Sequence, residues 1–154
     1  MSAPSSPTAP ASFWCVWLEA TIGIFFVIGL TSTYWIDGPL WAWHQAPVAE
    51  ALWGSPVMQP ETAQYRAWVM SIFGPTLMGW TVALFFVVRG PFRRGERWAW
   101  WCVAASTLVW GLPDTAWSLT HGVNINVALN VFALVMVALP LWTTRRAFAA
   151  GPPS

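Results

Sequence analysis

VWGLPDTAWSLTHGVNINVALN, residues 109–130, is the stretch on which the fold turns. Apolar sequence enters it from residue 98 and leaves it toward residue 144, and only His121-Gly122 separates the two runs. Glycine directly after a helical run is a stop signal, and a two-residue connection obliges the flanking helices to lie side by side and antiparallel. A hydrocarbon core is crossed by roughly 20 apolar residues. The two runs therefore read as a transmembrane hairpin, with spans at 98–120 and 123–144.

Two further spans lie toward the N-terminus. Residues 66–88 form one, preceded by Gln59-Pro60-Glu61, which places proline in the first helical turn and a carboxylate at the positive end of the helix dipole. Its far end is marked by Arg89-Gly90-Pro91, a strong terminator. Residues 13–35 form the other, read as retained because no basic leader precedes it and no small-residue cleavage site follows. The expected fold is an all-α four-helix transmembrane bundle. Its outer loop, residues 36–65, is rich in Trp and Pro, and residues 47–54 run from proline to glycine as a short interfacial helix. Residues 1–12, uncharged and rich in Ser, Pro and Ala, read as a disordered tail, and 145–154 as a cytoplasmic tail.

Composition supports a membrane protein. Of 154 residues 56% are hydrophobic and 8% charged, and 14 are tryptophan, whereas about a quarter of an ordinary soluble domain is charged. The net charge is +1 and every basic residue is arginine, too weak a basic surface for nucleic acid. Cys15 and Cys102 fall singly in apolar runs and read as small buried residues. Six of the seven arginines flank one set of span ends, with Arg66 alone on the other side, so the positive-inside rule puts both termini in the cytoplasm. Tryptophans mark the same boundaries. Trp14, Trp17, Trp98, Trp100, Trp101 and Trp142 form an inner belt, Trp35, Trp41, Trp43, Trp53, Trp68 and Trp117 an outer one, and Trp80 and Trp110 lie at mid-depth.

The polar residues within the spans carry any functional reading, because a charge there costs about 2.5 to 3.5 kcal/mol on insertion scales. Glu19 is one such acid. It shares a helix face with Cys15 and Gly23, suited to close packing, and its expected partner is Arg89, Arg145 or Arg146. Asp114 is the other, and follows Pro113, which frees the carbonyl of Val109. Ser118 and His121 continue its stripe at i+4 and i+7, and Asn126 and Asn130 enter the membrane on the facing helix. With Arg66 added from the second span, these residues outline a polar pocket in the outer half of the bundle. In one account Asp114 pairs with Arg66 and the asparagines bridge helices as hydrogen-bonding glue. In the other, Asp114 is the ionisable centre of a ligand, proton or cation site with His121 at its mouth.

A Ser-His-Asp hydrolase is excluded by geometry, since three residues strung along one helix do not converge. No cofactor is expected. His44 and His121 are both too peripheral to hold a haem between spans, and with Asp37 and Glu50 they show no metal-ligand spacing, so no metal is expected either. Gly74-Pro75-Thr76, with Gly79 beyond it, marks either a hinge or a close helix crossing.

The runs Gly74-Pro75-Thr76-Leu77-Met78-Gly79-Trp80, Trp98-Ala99-Trp100, Pro113-Asp114-Thr115 with Ser118 and His121-Gly122, and Asn126-Val127-Ala128-Leu129-Asn130 resemble a group of small, uncharacterised bacterial four-span proteins. The resemblance covers residues 74–144. It implies a four-helix fold in a bacterial inner membrane and supplies no activity. The expected function is that of a non-enzymatic protein binding an amphipathic, lipid-like molecule, or of an accessory subunit of a membrane complex, with lipid or another membrane protein as partner and oligomers allowed. The competing expectation is a small membrane enzyme or proton-coupled carrier in which Asp114 cycles its proton.

Overall fold

The computed structural model describes residues 10–149, and these are all-helical. In chain order they form α1 (Ser12–Tyr34), α2 (Pro39–Trp53), α3 (Pro60–Val87) with a π-helical turn (Val88–Phe92), α4 (Arg97–Thr120) and α5 (Asn124–Ala149). The two expected tails fall mostly outside the described residues; inside them, α1 begins at Ser12 and α5 runs on to Ala149. Three helical stretches, Ser12–Tyr34, Pro60–Phe92 and Asn124–Ala149, are long and apolar enough to cross a membrane. These mark the chain as a membrane protein. Helix α4 matches them in length, at 24 residues, but its five tryptophans, Pro113 and Asp114 keep it out of that set.

Local sequence explains most boundaries. Pro60 starts α3 with Glu61 in its first turn. Helix α2 is longer than residues 47–54, because Gly38-Pro39 supplies an earlier start and Pro47 is tolerated inside; it ends as expected at Gly54, with φ of 68°. At the α4–α5 connection Gly122 adopts φ of 71°. There the Val123 N–H donates to the Ser118 carbonyl at 2.9 Å and the Gly122 N–H to that of Leu119 at 3.3 Å, a Schellman closure. At the other end of α3 the expected stop at Arg89-Gly90-Pro91 does not act at once. The helix widens into the π turn, which accommodates Pro91 and carries Phe92 into the core.

The long helices pack as two antiparallel pairs, α1 with α3 and α4 with α5, in contact through α1 and α5, while α3 and α4 meet only sparsely. The α1–α3 crossing is set by Gly29 and Gly74. A Cβ on Gly29 would fall 2.8 Å from the Gly74 carbonyl oxygen, and one on Gly74 would collide with Thr33 Oγ1 and the Gly29 carbonyl. Gly74 thus serves a close crossing, and its partner is Gly29; Gly23, on the face expected to pack, has open space around it. Without a hydrophobic drive between helices in lipid, such close backbone approach is a main source of cohesion.

The arginine-rich end of the bundle is tightly packed. Leu18, Val88, Phe92, Val103 and Phe148 are almost fully buried there, and the Phe92 and Phe148 rings lie 4.7 Å apart. Tryptophan N–H groups also stitch this end. Pro140 deprives the Met136 carbonyl of its helical partner, and Trp17 Nε1 donates to that same oxygen at 2.9 Å. Trp100 Nε1 donates to the Leu141 carbonyl at 3.0 Å.

Candidate functional site

The Schellman turn sets Asn126 across from the last turns of α4. From there its Nδ2 donates to Asp114 Oδ1 at 2.9 Å and to Ser118 Oγ at 2.7 Å, and the Ser118 hydroxyl donates to the same Asp114 oxygen at 3.3 Å. Three of the residues expected to share a site are thereby tied into one triangle between the hairpin helices. Asn130 follows one turn deeper on the same face of α5. It is 3% exposed, and its Nδ2 finds no hydrogen-bond acceptor.

Arg66 and His121 lie elsewhere. Arg66 turns to α2, with an ion pair to Asp37 and hydrogen bonds to Gln45 Oε1 at 2.9 Å and Met58 Sδ at 3.3 Å. The expected pairing of Arg66 with Asp114 is therefore corrected: Asp37, in the loop before α2, takes the guanidinium first. Among the described residues no cation pairs with Asp114. His121 stacks flat on Trp117, with ring centroids 3.9 Å apart, and its Nδ1 lies 2.8 Å from the Trp117 carbonyl. The exposed imidazole belongs to the turn, outside the triangle.

His44 replaces it. Helix α2 packs on the start of α5 and brings this imidazole beside Asn126. Burial pushes the His44 pKa below its ordinary value of 6.5, and the hydrogen-bonding Asn126 side chain opposes that shift. Its Nδ1 has no hydrogen-bond partner, and neither has Nε1 of Trp41, whose ring centroid lies 6.0 Å from that of His44. Arg66 Nε is likewise buried and unpartnered. The sequence offered a weak pointer to His44, as one of only two histidines, but no spacing that linked it to Asn126.

Glu19 sits at the opposite end. Its carboxylate is held by Arg93 at 2.8 Å and Arg89 at 3.3 Å, with the side chain 12% exposed. Arg89 is an expected partner; Arg93 joins because the π turn extends the helical path beyond Arg89. Arg145 instead lies over the Trp142 ring, 3.7 Å from its centroid. Nearby, Arg94 and the Trp98 N–H both donate to Glu96, and these bonds hold its carboxyl below the usual range.

Comparison with protein-family models, curated proteins and solved structures finds no match. Among the described residues no group of three His, Cys, Asp or Glu side chains could hold a metal ion. At the α2 end, three of the unpartnered atoms are N–H donors: Trp41 Nε1, Arg66 Nε and Asn130 Nδ2. His44 Nδ1 can take either role according to its tautomer. Such a set complements oxygen acceptors. Two grooves lie elsewhere: an open apolar one of about 530 Å³ along α4 and α5, and one of about 330 Å³ between α1 and α3 beside Glu19.

Proposed function

We propose that the chain is a four-span protein of a bacterial inner membrane, with both termini cytoplasmic, and that its α2-end cluster binds the oxygen-bearing head of an amphipathic, lipid-like molecule. Helix α4 is the fourth span in this reading. It packs antiparallel to α5, and its exposed Trp98, Trp101 and Trp117 stand near its two ends, where indole rings favour the headgroup region. The arginine-rich end faces the cytoplasm by the positive-inside rule, and α2 lies on the outer surface.

Asn130 carries the ligand reading. A buried amide donor without an acceptor costs about 1 to 3 kcal/mol, and hydrocarbon has nothing to offer it. A carbonyl, ester or carboxylate oxygen reaching Asn130 would relieve that cost, and Trp41 and Arg66 supply further donors around the same end, as does His44 in the tautomer with its proton on Nδ1. Tethered to that oxygen, an apolar tail would lie among the helices or in lipid. The protein acts as a binder or as the accessory subunit of a larger membrane complex, and no covalent step is assigned to it.

Native mass spectrometry of gently extracted protein tests this. The wild type should carry a reproducible small-molecule mass that Asn130→Leu loses while remaining helical. A bare wild-type chain overturns the reading. A second reading, an enzyme or carrier using Asp114, draws support from the absence of a cation beside that carboxylate among the described residues. It requires a proton flux or turnover that Asp114→Asn abolishes without loss of fold.

A further inference from the structure

The seven arginines fall into two groups. Arg66 pairs with Asp37, Arg89 and Arg93 with Glu19, and Arg94 with Glu96. Arg97, Arg145 and Arg146 have no carboxylate partner among the described residues, and all three are exposed. Their placement is not scattered. Arg145 lies against Trp142, which forms one wall at the end of the apolar groove between α4 and α5; Arg146 is next to it in the last turns of α5. Arg97 opens α4 one turn before Trp100, which lines the same groove on the other side.

The groove has one chemistry along its length. Leu108, Leu134, Val135 and Ala138 line it between the tryptophans and mid-depth, and its volume of about 530 Å³ is of the order of one lipid acyl chain. A hydrocarbon slot ending in unneutralised guanidinium groups is complementary to a single molecule with an apolar tail and a negative head. Guanidinium binds phosphate through two parallel hydrogen bonds, and the cationic group beside the phosphate of a zwitterionic headgroup would oppose its approach. The geometry points to a binding site for an anionic phospholipid at the arginine-rich end, its chain in the α4–α5 groove and its phosphate on Arg145, Arg146 and Arg97. The site rests on α4 crossing the membrane beside α5, and is independent of the α2-end cluster.

The test titrates full-length protein in detergent with phosphatidylglycerol or phosphatidylcholine of identical chains, counting bound lipid by native mass spectrometry. The wild type should prefer phosphatidylglycerol by about tenfold or more, the scale set by juxtamembrane arginines on anionic lipid. The double variant Arg145→Gln, Arg146→Gln should lose most of that preference, and Arg145→Lys, Arg146→Lys should keep part of it. Ala138→Phe, which fills the groove at an exposed position, should weaken both lipids alike. Equal affinity of the wild type for the two lipids overturns the proposal, as does full preference in the Gln variant or unchanged binding in Ala138→Phe. Displacement by soluble glycerol phosphate would also overturn it, by assigning the arginines to a free phosphate compound. Cysteine labelling at Gly95 and at His121 tests the α4 span separately: reagents reaching both from one side remove the span, whatever the lipid result.

Discussion

Asn126 illustrates how much one amide can do in a membrane. Both of its donor contacts go to α4, and the side chain also neighbours His44 on α2, so three helices meet at one residue. Replacing it by leucine leaves Asp114 and Ser118 facing each other without their bridge. The expected loss is about 0.6 to 2 kcal/mol, the range found for interhelical hydrogen bonds in bilayers, measured by unfolding in mixed micelles. Trp17→Phe should cost about 1 to 3 kcal/mol in the same assay, because it orphans the carbonyl already abandoned by Pro140. For His44 the pH dependence has a definite sign. Its folded-state pKa lies below 6.5, so as pH falls through 6.5 the unfolded chain binds the proton more readily and stability declines. A stability profile from pH 7.5 to 5 should show that decline, and His44→Gln should flatten it.

Elements were more legible in the sequence than the contacts between them. The long helices, the two-residue hairpin turn, the Pro60 start of α3 and the Gly54 end of α2 followed from rules that act within a few residues. Asp114, Ser118 and Asn126 could be grouped for the same reason, because helical spacing and a short turn leave little freedom. Arg66 was misassigned because its choice between Asp37 and Asp114 depends on where α2 docks, and nothing in the local pattern encodes that docking. The π turn was equally hidden: Gly90-Pro91 signals an interruption, but whether a helix stops or widens depends on the pocket awaiting Phe92. The crossing of α1 and α3 offers a sharp test at this scale. Gly74→Ala forces a methyl against the Gly29 backbone and Thr33, and should destabilise the protein by about 1 to 3 kcal/mol; Gly79→Ala, with open space around it, should be near neutral. A Gly74→Ala variant as stable as the wild type would mean that the pair is not locked at Gly74.

At the scale of the whole molecule, the two ends differ in how they are held. Buried rings and aliphatic side chains close the arginine-rich end, whereas hydrogen bonds among Asp114, Ser118 and Asn126, and those of Arg66 to Asp37 and Gln45, hold the other. Orientation is testable in a variant lacking Cys15 and Cys102: a cysteine near Pro47 should react with an impermeant reagent added outside, and one near Gly95 should be shielded. The reverse pattern would invert the proposed topology. The ion pairs of Glu19 bear on how the chain is made. Their partners lie 70 and 74 residues downstream, an interval of about 4 to 15 s at 5 to 20 residues per second of synthesis. Through that interval α1 carries a carboxylate with neither arginine yet available, at a cost of about 2.5 to 3.5 kcal/mol in the bilayer. The ion pairs thus predict that α1 seats fully together with α3: a nascent chain arrested before Arg89 should remain extractable where one arrested beyond Arg93 is not.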